Sequence, residues 1–299
     1  MSSLVFRMRE APPERLDLSD LIPSKIGKLS AAEIERLRIG TSRMGLVVGD
    51  IFDVEAGDVG NIRFDGGSQR FDRLGAGLDA GQIFVDGDVG QRVGIGMTLG
   101  EISIVGHAGP FAGSAASGGI VRIGGSAGEA AGGGVHGAMY GLNGAVLVIE
   151  GDAGPRLGDR MRRGLILVGG KAADYAGSRM VAGTIVAQSI GDNPGYAMRR
   201  GTIVTAAHGA LLPTFVPLGP QRRIVTRLLR RAVAGIRAQS ADIIADETVG
   251  FGVNLCHIPE CPTSRAEPNP RAAVHRRVTA VAGDVASRGR RSSPPVMMG

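Results

Sequence analysis

The chain has 299 residues, 49 of them glycine and only 15 proline, a balance that excludes collagen-like and proline-rich linker classes. Aromatic residues are few (8 Phe, 3 Tyr, no Trp), which argues against a nucleic-acid platform built on stacking, and two cysteines make no disulfide framework. The net charge of +6 is uneven: residues 1–219 hold 21 basic and 22 acidic side chains, residues 220–299 hold 13 and 6, so the main body lacks the basic face of a nucleic-acid reader.

No apolar run is long enough to span a bilayer, and MSSLVFRMREAPPERLD has no apolar signal core. The expectation is a cytoplasmic protein. Residues 1–44 read as a lead-in and cap. Within them Ser30-Ala-Ala-Glu33 matches a capping box, with Ser30 accepting from the backbone and Glu33 reaching back, and opens a short helical pattern. Asp50 to Val59 reads as a strand leading into the glycine-rich region.

Residues 45–209 read as a repeat domain. Of the 49 glycines, 38 lie between residues 57 and 209, and they fall in phase. The glycines before each short apolar strand are Gly81, Gly100, Gly119, Gly144, Gly164, Gly183 and Gly201, spaced 19, 19, 25, 20, 19 and 18 residues apart. Two and four residues on come Ile83/Val85, Ile102/Ile104, Val121/Ile123, Val146/Val148, Ile166/Val168 and Ile185/Ala187. This alternation is the signature of a strand with one buried face. Further glycines recur six, nine and thirteen residues after the anchor, where the chain must turn. Met97, Met161, Met180 and Met198 precede the next anchor and fit an interior corner.

These features predict a right-handed parallel β-helix, an all-β fold of glycine-rich turns of about 19 residues with short N- and C-terminal helical caps. At about 4.8 Å per strand, six turns give a rod of order 29 Å. A left-handed hexapeptide helix needs an aliphatic residue at every sixth position, which this spacing does not supply. Calcium-binding nonapeptides need G-G-x-G-x-D, which never occurs. The turn from residue 120 to residue 144 is longer than its neighbours, with glycine-rich 132–137 as the extra segment. Insertions of this kind map to loops on one face.

Residues 210–258 read as a C-terminal cap containing a basic amphipathic helix at 221–239. Residues 259–299 read as a disordered basic tail.

Chemistry is sparse. Gly132 to Gly137 matches G-x-G-x-x-G, but a glycine-rich segment produces such matches by chance. Cys256, His257, Cys261 and His275 have spacings poorly suited to zinc. His107, His136 and His208 have no serine or cysteine at a readable spacing. Asp88, Asp152 and Asp159 follow strands, where aspartate favours turns. The expectation is a chain with no catalytic, cofactor-binding or metal-binding residue of its own.

The repeat G-x-I-x-V-x-G-x-x-G-x-x-x-G-x-x-M-x-x-G resembles that of the C subunit of formylmethanofuran dehydrogenase. It is also similar to the C-terminal domain of the glutamate synthase large subunit. The flanks Arg15-Leu-Asp-Leu-Ser19, Leu29-Ser-Ala-Ala-Glu-Ile34 and Val48-Gly-Asp-Ile-Phe52, and the exit His208-Gly-Ala-Leu-Leu-Pro-Thr-Phe215, resemble the first. The resemblance covers roughly residues 4–240.

It implies a non-catalytic scaffold subunit of a one-carbon complex, either a formylmethanofuran dehydrogenase or the formyltransferase/hydrolase complex of methylotrophic bacteria. It implies docking on the other subunits through the coil's flank and residues 132–143, with no nucleic acid or membrane as partner. The methanofuran analogue, tetrahydromethanopterin and the metals (zinc, or molybdenum or tungsten) would then reside in those partners. The alternative is a free-standing glutamate-synthase-like β-helix subunit of an amidotransferase, which has no reason to carry the exit segment.

Overall fold

The computed structural model describes residues 2–215 and two short strands, 252–253 and 278–282. In chain order the elements are β1 (Ser3–Met8), β2 (Leu16–Asp17), α1 (Pro23–Ile26), α2 (Ala31–Glu35), α3 (Val48–Ile51), β3 (Phe52–Glu55), β4 (Asp58–Asp65), β5 (Phe71–Asp72), β6 (Gln82–Asp86), β7 (Glu101–Ile104), β8 (Ile120–Ile123), β9 (Asn143–Ile149), β10 (Arg163–Ala172), β11 (Thr184–Ile190), β12 (Gly201–His208), β13 (Gly252–Val253) and β14 (Val278–Ala282). One sheet runs β13-β14-β12-β11-β10-β9-β8-β7-β6-β4-β1-β3. From β1 through β14 its pairs are parallel, and only the outermost, β1–β3 and β13–β14, are antiparallel. A second parallel ladder of single bridges follows the sheet round the corner, Ser68–Val89–Ala108–Ala127–Ala153–Ala172. The chain is a parallel β-helix.

Its interior consists of columns. Ile62, Ile83, Ile102, Val121, Leu147, Ile166, Ile185 and Ile203 pair in register, one per turn. Phe64, Val85, Ile104, Ile123, Ile149, Val168, Ala187 and Thr205 form the next column. Met97, Met161, Met180 and Met198 are buried at the far corner, as the sequence predicts. No turn could bury these residues alone; the stack makes the core.

The sequence places Val146 in the first column, and the structure corrects this to Leu147. Arg163 pairs with Asn143 but Leu165 pairs with Val146, so Gly144 and Ala145 together face Gly164. That extra residue is a β-bulge, and a slip of one residue exchanges the two faces of a strand. Alternation could not reveal it, because β9 and β10 are apolar on both sides. Val148, Leu167, Val186 and Val204 point away from the inner column yet are buried, where earlier turns carry Arg63, Phe84, Ser103 and Arg122. Strands covered on both faces read as continuous apolar runs.

The N-terminal end is closed by aromatic packing. Phe6 stacks on Phe64 with ring centroids 4.8 Å apart, and Phe52 meets Phe71 at 5.5 Å. Four of the 8 phenylalanines thus plug the first turns, while the inner columns of later turns carry aliphatic side chains as far as Thr205. The segment read as one strand from Asp50 to Val59 is three things. It starts in the helical turn α3, whose Asp50 carboxylate accepts the Val47 N–H at 2.9 Å, and breaks between β3 and β4. Strand β1, unseen in the sequence pattern, lies between those two strands.

The Ser30–Glu33 cap forms with a twist. Glu33 accepts the Ser30 N–H at 2.8 Å, but the Ser30 hydroxyl donates to the same carboxylate at 2.7 Å. The backbone bond, then the hydroxyl, holds the Glu33 carboxyl below its ordinary range. At the other end Leu211 and Phe215 of the exit segment pack against the core. The helix read at 221–239 lies outside the described residues. So does the segment read as disordered at 259–299, apart from β14.

Candidate interaction surface

Two corners of the coil carry its polar side chains. At the first, each turn offers one acceptor to a backbone N–H of the next. His107 N–H donates to Asp88 Oδ1 at 2.8 Å, Ser126 N–H to His107 Nδ1 at 2.9 Å, Asp152 N–H to Ser126 Oγ at 3.1 Å, and Lys171 N–H to Asp152 Oδ1 at 2.7 Å. The glycines that precede the donors make room for this. A Cβ on Gly106 would lie 2.4 Å from Asp88 Oδ1, and one on Gly170 would lie 2.2 Å from Asp152 Oδ1. Glycine recurs there for close approach rather than for turning.

Asp88, His107 and Ser126 therefore share one edge, as their common interval of 19 residues, the length of these turns, requires. It is not a nucleophile–base arrangement. His107 Nδ1 receives the backbone N–H of Ser126, and the Ser126 hydroxyl oxygen receives a backbone N–H in turn. The link from imidazole to serine runs through backbone, so nothing there activates the hydroxyl. Replacing Asp152 by Ala is expected to cost about 0.5–1 kcal/mol, one exposed hydrogen bond, with Asn restoring most of it. Urea denaturation of the three proteins measures this.

At the opposite corner Asp159 is 3% exposed. Ser178 Oγ donates to it at 2.6 Å, and Arg179 Nε and Nη2 grip its two oxygens at 2.9 and 2.7 Å. The neighbouring Arg160 donates through Nη1 to the Ala138 carbonyl at 2.6 Å. That carbonyl belongs to the long turn. Gly134 N–H donates to Asp159 O at 3.1 Å and Gly141 N–H to Arg160 O at 3.0 Å, so the insertion is tied at both ends to the turn above it. Its tip presents Met139, 89% exposed, and Tyr140, whose ring lies 5.9 Å from the Arg162 guanidinium carbon. His136 stands edge-on to Phe111 at 5.6 Å. His208 ends β12 with Nδ1 2.8 Å from the Gly209 carbonyl.

Beside the tip, Asp79, Thr98, Ser117, Asn143, Arg162, Val181 and Arg199 follow one another up the same edge. Their N–H groups, from Thr98 onward, bond in sequence to Leu78, Met97, Ala116, Leu142, Met161 and Met180. The edge thus runs from one acidic residue, Asp79, through neutral Thr98, Ser117 and Asn143 to arginines. Arg163 and Arg200 stand next to Arg162 and Arg199, and all four side chains are exposed. The charge count assigns the basic character to residues 220–299 and misses this cluster, because a neutral total conceals its placement.

Among the described residues no group of three or more His, Cys, Asp or Glu side chains could hold a metal ion, and no helix is long and apolar enough to cross a membrane. Cys256, His257, Cys261 and His275 lie outside the described residues.

No protein-family model matches the chain. The structure is similar to a chain of the crystal structure of the formyltransferase/hydrolase complex from Methylorubrum extorquens in complex with methylofuran. The TM-score is 0.78 at 48% sequence identity, over 81% of this chain and 91% of that one. By sequence, the C subunit of the formyltransferase/hydrolase complex Fhc of Methylorubrum extorquens is 49% identical over 92 residues, 31% of this chain and 34% of that protein. The C subunit of the tungsten-containing formylmethanofuran dehydrogenase 2 of Methanococcus maripaludis is 28% identical over 92 residues, 30% of this chain and 34% of that protein. The sequence alignments thus span about a third of these curated relatives, while the structural match spans nearly all of its counterpart.

The class is therefore the glycine-rich parallel β-helix, here with one tied insertion on its flank. Within that class the chain belongs to the family of formylmethanofuran dehydrogenase C subunits.

Proposed function

We propose that the chain is the non-catalytic β-helical subunit of a cytoplasmic formyltransferase/hydrolase-type complex. It provides a stiff body on which the other subunits are held, while they bind the methanofuran analogue, tetrahydromethanopterin and metal and carry the formyl chemistry. Residues 1–44 serve as the lead-in, 45–209 as the coil, and 210–258 as the closing cap. The observation that carries this reading is the match over 91% of a chain from such a complex at 48% identity. The architecture supports it: polar side chains are engaged in holding turns together, and a tied loop projects from the flank.

The test is co-expression of the tagged chain with the candidate partner subunits, followed by affinity capture and size-exclusion chromatography. Co-elution in one peak is expected. Formyl transfer and formyl hydrolysis are expected from that peak and not from the isolated chain. Separate elution of the wild-type chain, or turnover by the chain alone, would sink the reading.

A further inference from the structure

Many arginines of the described residues are held in ion pairs. Arg7 pairs with Glu55, Arg9 with Asp53, Arg15 with Asp72, Arg73 with Asp17, Arg122 with Glu101, Arg156 with Glu129, and Arg179 with Asp159. Arg162, Arg163, Arg199 and Arg200 are not so held, and unlike Arg70 and Arg92, which also lack an ion pair among the described residues, they gather on one edge. All four are exposed, and none has an ion-pair partner among the described residues. They occupy equivalent places two turns apart on one edge, about 10 Å in strand spacing, which is about the Debye length at 0.1 M salt. Their positive fields therefore overlap at about 0.1 M salt and below, with no acidic side chain of the edge between them: the intervening turn contributes Val181 and Ala182.

The adjoining tip completes the surface. Met139 and Tyr140 are the residue types that anchor protein interfaces, with Arg as the third. The tip is already ordered by the Arg160–Ala138 bond and by the bonds of Gly134 and Gly141, so holding its shape for a partner adds little entropic cost.

Resting on the reading of the chain as a member of a complex, we propose that the insertion tip and the four-arginine edge form one docking site. Its occupant is an acidic protein surface of a partner subunit, with carboxylates set to meet the guanidinium pairs and an apolar side chain set to meet Met139 and Tyr140. Guanidinium favours carboxylate through paired, parallel hydrogen bonds, which a lysine ammonium cannot reproduce.

The full chain, co-expressed with its partner subunits, is compared with a variant carrying R162E, R163E, R199E and R200E, one with lysine at all four positions, and Met139→Asp. The four-glutamate variant is expected to lose co-elution, a fall in affinity of more than about tenfold, with unchanged circular dichroism. The lysine variant is expected to assemble at low salt and to dissociate at a lower salt concentration than wild type. Met139→Asp alters an 89% exposed side chain, so the fold stays intact while assembly weakens. Should the wild type assemble and the folded four-glutamate and Met139→Asp variants assemble equally well, the docking site is overturned and the proposed function stands. Should the wild type itself fail to assemble, both fall. Association that disappears on nuclease treatment would mean a nucleic-acid occupant and would also overturn the proposal.

Discussion

Replacement of Ile166 by Asp is expected to abolish the folded coil. Ile166 is fully buried, paired with Leu147 below and Ile185 above. Its Cδ1 reaches across the lumen to within 2.7 Å of where a Cβ on Gly132 would stand, so there is no space for water beside it. A carboxylate there has no cation to meet and costs several kcal/mol, against a total stability of about 5–15 kcal/mol for a domain. Ile166→Val, which removes one methyl group, should cost only about 0.5–1.5 kcal/mol. The same substitution tests the register. Leu147→Asp is expected to be as damaging as Ile166→Asp, and Val146→Asp, on the half-buried outer side, far milder. Soluble yield and thermal melting by circular dichroism distinguish them, and the reverse order for residues 146 and 147 would refute the bulge.

The second large effect is expected at Gly109. Gly90, Gly109, Gly128 and Gly154 sit one above another. A Cβ on Gly109 would lie 2.7 Å from the Gly90 carbonyl carbon and 2.9 Å from Gln91 N; one on Gly128 would lie 2.8 Å from Pro110 N. The obstacle is backbone, which cannot rotate away, so even Gly109→Ala must prise two turns apart and stretch the bonds from its N–H to Val89 and Gly90. A loss near the upper end of the overpacking range, about 3 kcal/mol, is expected. Gly96 supplies the contrast: its φ is +67°, but a Cβ there meets nothing within 4 Å. Gly96→Ala should cost only the left-handed backbone penalty, about 1 kcal/mol. Equal losses at the two positions in urea titrations would show that the glycines serve turning alone.

How much of this is legible depends on which physical demand wrote the residue. Period, inner columns and buried methionines are readable because each turn repeats one demand, burial of an apolar side chain. The glycine phase is equally visible, but two demands write the same letter. A glycine that turns the chain, such as Gly96, and one crowded by backbone, such as Gly109, differ only in three dimensions. The bulge at Gly144–Ala145 escapes because β9 is apolar on both faces, so its sequence does not say which residue points inward. Asp159 reads as a turn former from its residue type alone; the 19- and 20-residue intervals to Ser178 and Arg179 match the turn length and place them one turn above it. Lateral neighbours in a coil are set by the turn length, so they follow once each residue is counted from its anchor glycine. The arginine edge is readable in the same way, as pairs directly before Gly164 and Gly201, and is hidden only by a charge total taken over the whole body.

The regular pairing of β6 to β7 to β8, residue for residue at an interval of 19, has a geometrical consequence. Height along the axis is quantised: a side chain on the flank can be raised or lowered only in steps of about 4.8 Å. The coil is a graduated ruler, and two partners seated on it are separated by a whole number of graduations. Loss or gain of one complete turn would reset that separation while leaving every remaining column intact. Loss of a single residue within a strand would exchange its faces and spoil the column, whereas the corners absorb one, as the 18-residue step from Ile185 to Ile203 shows. Spacing between attached proteins is thus adjustable in whole turns and fixed within them.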